Sequence, residues 1–148
     1  MKAQSGQPWD GVTCSEFRVR YVETDQMGVA HHANYLVWCE AARTDHMRER
    51  GVSYRSLEER GIRLPVVEAS LKYRAPARYD DVVRVQCWVR EASKRRVSFG
   101  YAIERSEDGR RLATARTSLI AVDSSHALAS IPPEVRERLL VVPDPVRL

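Results

Sequence analysis

The chain has 148 residues, 43% of them hydrophobic and 30% charged, enough for one domain whose core needs neither disulfide nor metal staples. Its 24 Lys and Arg against 20 Asp and Glu leave a net charge of +4, but the signs interleave and no basic run exceeds Lys94-Arg95-Arg96, so nucleic-acid binding rests on the charge alone. The longest apolar run, Tyr35-Leu36-Val37-Trp38-Cys39, has five residues against the roughly 20 of a membrane span, no apolar signal region opens the chain, and Cys14, Cys39 and Cys87 form no C-x-x-C pair, which together point to a reducing, cytoplasmic setting and away from zinc.

Residues 1–15 carry Gly6, Pro8 and Gly11 and read as a flexible N-terminal arm. Phe17-Arg18-Val19-Arg20-Tyr21 alternates apolar and polar residues, a strand signal. Turn formers occupy 24–28. The pattern then predicts a long helix over 33–50, stopped by Gly51. Tyr35, Leu36, Val37, Trp38, Cys39, Ala41 and Ala42 make its first turns apolar nearly all round, as in a buried helix. A short helix is expected over 54–60, capped by Ser53. Four strands follow. Val67, Ala69, Leu71 and Tyr73 occupy alternate positions of the first, and Val83, Val85, Cys87 and Val89 those of the second. Val97, Phe99, Tyr101 and Ile103 do the same in the third, and a fourth spans 112–122 after an Asp108-Gly109 hairpin step. One dry and one wet face per strand fits an antiparallel sheet packed on one side. The expected organisation is an arm (1–15), an α+β domain (16–123) with the sheet curled around the long helix, and a proline-rich tail (124–148) with a short helix near 134–140.

Chemistry concentrates between the first strand and the long helix, where Glu23, Asp25, Gly28, His31 and His32 gather. A helix start presents unpaired N–H groups and partial positive charge that polarise a carbonyl or hold an oxyanion. A carboxylate on the preceding loop, ionised at neutral pH, then serves as base or nucleophile. The same residues also fit a plain turn, with Asp25 or Asn34 capping backbone groups. Glu23 and Asp25 form an acid pair if the strand continues through them. Adjacent histidines are expected to point apart, and without an H-E-x-x-H spacing they give no metal site. The G-x-S-x-G, P-loop and G-x-G-x-x-G patterns are absent.

Arg20-Tyr21, Thr24-Asp25, Gly28-Val29, His32-Ala33-Asn34-Tyr35 and Glu40-Ala41-Ala42-Arg43 stand at fixed offsets. Gly61-Ile62, Leu64-Pro65-Val66-Val67, Tyr73, Pro76, Tyr79 and Asp80-Asp81 follow. On these residues the stretch 16–123 resembles the hotdog-fold acyl-CoA thioesterases of the hydroxybenzoyl-CoA/YbgC type. The resemblance implies an antiparallel sheet of about five strands wrapped around one long buried helix. It implies hydrolysis of an acyl-CoA to free acid and CoA without metal or cofactor. Asp25 is then nucleophile or general base, the His32 backbone amide polarises the carbonyl while its side chain assists, and Tyr21 lines the same site. Lys94, Arg95, Arg96 and Arg116 hold the CoA phosphates, in a homodimer or homotetramer with sites at the subunit boundary. A second branch of the fold carries its carboxylate on the helix, where Glu40 or Asp45 would serve, although Glu40 is equally an i,i+3 partner of Arg43. A hydratase motif with a shorter Asp–His offset is absent. The remaining alternative is a non-catalytic acyl-CoA or acyl-carrier binder.

Overall fold

The computed structural model describes residues 10–148. The expected arm lies largely outside them, and its last residues are already sheet. Strand β1 (Val12–Arg18) leads through a single 3-10 turn (Tyr21–Glu23) and a loop to helix α1 (Asn34–Glu49) and the short α2 (Tyr54–Glu59). Strands β2 (Val66–Tyr73), β3 (Val82–Ala92), β4 (Arg96–Arg105) and β5 (Arg111–Ile120) follow, then helix α3 (Pro133–Arg138). The five strands form one antiparallel sheet in the order β1-β3-β4-β5-β2.

β1 begins well before the expected 17–21 because its core-facing positions are polar. Thr13 and Ser15 are buried and reach α1, Thr13 through a hydrogen bond with His46 Nδ1 and Ser15 by donating to Asp45 Oδ2 at 2.9 Å. Hydropathy alternation cannot register a face satisfied by hydroxyls. The pairing of Val12 with Trp88 through Arg18 with Val82 fixes the register.

α1 is not buried on every side. Its buried residues, Tyr35, Trp38, Cys39, Ala42, Arg43, His46 and Met47, form one stripe at helical spacing. Leu36 and Val37 face outward, 36% and 52% exposed. The stripe also carries an arginine into the core. Arg43 donates from Nε to the Tyr54 hydroxyl (2.9 Å) and from Nη1 to the Tyr101 hydroxyl (3.3 Å), and Tyr101 is hydrogen-bonded in turn to Thr117 Oγ1 (2.7 Å). Against this stripe lie Val83, Val85, Cys87 and Val89 of β3, and Val97, Phe99, Tyr101 and Ile103 of β4.

The outer face of β3 and β4 is not wet at its centre. Trp88 is fully buried there because the tail returns over it. Val142 N donates to the Val89 carbonyl (3.1 Å), the Trp88 indole N–H donates to Asp144 Oδ1 (2.9 Å), and Arg90 grips both oxygens of Asp144 (2.9 and 3.0 Å). The indole lies on Gly100, its cross-strand neighbour, so closely that a Cβ there would stand 2.5 Å from Trp88 Cε2. Because Asp144 fixes the ring, Gly100→Ala is expected to destabilise the fold by about 1–3 kcal/mol. Thermal denaturation checks this, and an unchanged Tm refutes it.

Candidate active site

The loop between β1 and α1 is built from two nested turns. Tyr21–Glu23 closes first, with Thr24 N donating to the Tyr21 carbonyl (3.0 Å). Asp25 then opens a tight reversal. Its N–H donates to the Val29 carbonyl (2.9 Å), its carbonyl accepts from Gly28 N (2.9 Å), and its Oδ1 accepts from Met27 N (2.9 Å). Gly28 takes φ +78°, a backbone state that costs a side-chain-bearing residue but not glycine. The turn and the chemical readings of Asp25 therefore coexist. Oδ1 serves the turn, and no described residue bonds Oδ2.

The far limb of the loop is held from several directions. Ala30 N donates to the Ala77 carbonyl (2.8 Å), and His31 N and Asn34 Nδ2 both donate to the Glu23 carbonyl (2.8 Å each). The Tyr73 hydroxyl, at the end of β2, donates to the His32 carbonyl (2.9 Å). Among the described residues nothing accepts from the His32 N–H, which stands just ahead of α1. The rings of His31 and His32 do not diverge. They lie side by side with centroids 4.2 Å apart, since a turn rather than a strand carries them.

Asp25 and His32 line one open cavity of about 320 Å³ with Met27, Tyr35, Tyr73 and Arg74 among its other walls. Tyr35 and Tyr73 meet edge to face at 5.1 Å, and the Tyr35 hydroxyl accepts from Ala77 N (3.1 Å). Burial raises both phenol pKa values, so both hydroxyls stay neutral and able to donate. The arrangement sets a carboxylate and an unengaged helix-start amide around one open space.

Tyr21 does not line this cavity. The 3-10 turn ends the extended backbone before it, leaving the side chain 78% exposed and packed edge-on against Tyr79 at 5.7 Å. The helix carboxylates are elsewhere too. Glu40 faces outward, and Asp45 is taken by Ser15 and by Arg48 (3.3 Å). Glu23 is no acid partner for Asp25: it is 4% exposed and bonded to the indole of Trp38 (3.0 Å).

Of the expected phosphate residues, Arg96 and Arg116 come together. They line a cavity of about 460 Å³ on the outer face of the sheet with Arg90, Ser98, Ser118 and Asp144. Lys94 and Arg95 lie outside its lining, exposed in the β3–β4 turn. Consecutive residues cannot share a face, whereas Arg96 and Ser98 on β4 share theirs with Arg116 and Ser118 on β5, Ser98 opposite Ser118 and the two arginines to either side of that pair. Arg90 was missed from sequence, although its alternation with Trp88 marks that face. The two cavities lie on opposite sides of the sheet, since Tyr73 points toward α1 and Arg96 away from it. Among the described residues no three His, Cys, Asp or Glu side chains cluster to hold a metal ion, and no helix is long and apolar enough to cross a membrane.

A family model of the thioesterase-like superfamily matches residues 19–139. The chain belongs to that superfamily. The superfamily fold recurs in the hypothetical protein TT1821 of Thermus thermophilus, 41% identical, with a TM-score of 0.80 over 86% of this chain and 95% of that one. It recurs again in the DHNA-CoA thioesterase of Staphylococcus aureus, 32% identical, with a TM-score of 0.82 over 86% and 87% of the two chains. In sequence, the "Putative acyl-CoA thioesterase YneP" of Bacillus subtilis (strain 168) is 38% identical over 112 residues, covering 76% of this chain and 80% of its own. The five-stranded antiparallel sheet around α1 is the hotdog fold of these thioesterase-like proteins.

Proposed function

We propose that the chain hydrolyses an acyl-CoA thioester to the free acid and CoA. The observation that carries this reading is the shared cavity of Asp25 and the start of α1. The thioester carbonyl accepts from the His32 N–H, and that hydrogen bond strengthens as the oxygen becomes an oxyanion. Asp25 either attacks the carbonyl carbon, giving an anhydride that water opens, or takes a proton from the attacking water. In both routes the C–S bond breaks and CoA leaves as a thiolate. With a thiol pKa of about 8.5 the leaving group needs little acid assistance, so the reaction as proposed requires neither metal nor cofactor. Support comes also from relatives named for thioester hydrolysis.

Arg96 and Arg116, joined by Arg90, are the proposed hold on the CoA phosphates. Their cavity opens on the face away from Asp25, so one ligand reaches both only around the β2 edge or across a subunit boundary. β2 is an unpaired edge exposed along nearly its whole length, and Val66, Val67, Leu36 and Val37 leave apolar surface beside it. A homodimer, or a dimer of dimers, is the proposed assembly. A monomer in sedimentation at micromolar concentration contradicts it.

The deciding experiment is thiol release from a panel of short, long and aromatic acyl-CoAs. Turnover on any member supports the reading. Tight acyl-CoA binding with no turnover makes the chain a binder instead. For the phosphate hold, Arg116→Gln with Arg96→Gln is expected to raise KM for an acyl-CoA by about tenfold, as lost charge-assisted bonds do. Turnover of the matching N-acetylcysteamine thioester, which lacks phosphates, stays unchanged. A parallel loss on both substrates counts against the assignment.

A further inference from the structure

The carboxylate two residues before Asp25 is more enclosed than Asp25 itself. Glu23 is 4% exposed, and a buried carboxylate persists only where its oxygens are hydrogen-bonded. Both are. Oε2 accepts from the Trp38 indole N–H on the second turn of α1 (3.0 Å), and Oε1 accepts from the Arg20 backbone N–H (2.8 Å) with Arg20 Nε at 3.4 Å. The carbonyl of the same residue accepts from His31 N and from Asn34 Nδ2 at 2.8 Å each. One residue thus ties together the end of β1, the amide next to that of His32 and the first two turns of α1.

Resting on the thioesterase reading of this cavity, we propose that Glu23 is a positioning residue, setting the distance between the Asp25 carboxylate and the His32 N–H. The remaining ties of the loop do not do this. The bonds from Asp25 to Val29 and Gly28 are internal to the reversal, and those from Ala30 to Ala77 and from Tyr73 to His32 hold only its far limb. Asp25 lies two residues from Glu23 along the chain, and the His32 amide lies one residue from the amide that Glu23 holds. A shift at Glu23 therefore moves both sides of the reacting pair relative to each other.

The role needs a carboxylate and not merely a polar side chain of that size, because both partners are donors. Glu23→Gln keeps the volume but turns an NH₂ group toward either the indole N–H or the Arg20 N–H. The expected result is a kcat lowered by about 10–10²-fold, the scale of a misplacement near 1 Å, with KM within twofold. Binding of a non-hydrolysable acyl-CoA thioether is likewise unchanged within twofold. Amide exchange at His31, whose N–H the Glu23 carbonyl accepts, becomes at least about tenfold faster as the anchor loosens. A folded Glu23→Gln with kcat within twofold of wild type overturns the proposal, as does unchanged exchange at the His31 amide. A wild type that releases no thiol removes the thioesterase reading, and the exchange result then decides the anchoring alone. If Glu23→Gln fails to fold, Trp38→Phe, which removes the indole donor to the carboxylate while keeping an aromatic ring in the core, carries the same two readouts.

Discussion

Asp25→Asn is expected to abolish thiol release by about 10²-fold or more while leaving acyl-CoA affinity intact. The substitution is clean for a structural reason. Asparagine keeps an oxygen able to accept from Met27 N, and it is at home in a turn of this kind, so the reversal through Gly28 persists. What disappears is the negative charge and basicity of the carboxylate, the property that either route requires. Thiol release gives the rate and a thioether analogue gives the affinity. Full activity in Asp25→Asn together with loss in Glu40→Gln would move the chemistry to the helix carboxylate. That outcome is not expected, since Glu40 points away from the cavity.

The second large effect concerns stability. His46 is fully buried between α1 and the sheet, hydrogen-bonded to Thr13 of β1 and lying edge-on to Phe99 of β4. Burial first, and the charge of Arg50 second, lower its pKa to about 4 from the usual 6.5. The folded protein therefore holds this imidazole neutral at a pH where the unfolded chain protonates it. The stabilisation is fully present above about pH 6.5 and is lost progressively as pH falls toward 4, reaching about 3 kcal/mol. His46→Leu removes the linkage while Thr13 still donates to the Cys87 carbonyl (3.3 Å). Denaturant titrations across pH 4–7 should show wild type losing stability faster than His46→Leu by close to one proton. Parallel curves would refute the assignment.

Elements whose own residues carry the period were legible from sequence. α1, α2 and the β3–β4–β5 meander lie within a few residues of expectation, because Gly51, Ser53 and the alternating valines act locally. What escaped depends on contacts between distant segments. β1 is shifted because Thr13 and Ser15 face a histidine and an aspartate on α1 rather than apolar side chains. Trp88 looks like a wet-face residue until the tail returns with Asp144. Within the site, the Asp25–His32 offset was readable, but Tyr73 and Arg74 arrive from the end of β2 and had no local signal joining them to it. A pairing of Glu23 with Asp25 depended on a strand continuing through both. The 3-10 turn rotates Glu23 inward instead.

The convergence on Trp88 has a kinetic side. Its backbone pairs with Val12 and its indole is held by Asp144, so one central residue waits for partners from both flanks of the sequence. The β3–β4 hairpin forms from neighbouring residues, but its central indole stays uncovered until those remote segments dock. Pairings between residues so far apart slow folding, because loop closure must precede any gain in contact energy. During that interval an indole and an open strand edge are exposed together, a combination that favours aggregation. Refolding yield should therefore depend more steeply on protein concentration when Asp144 is replaced, even where the finished fold tolerates the change.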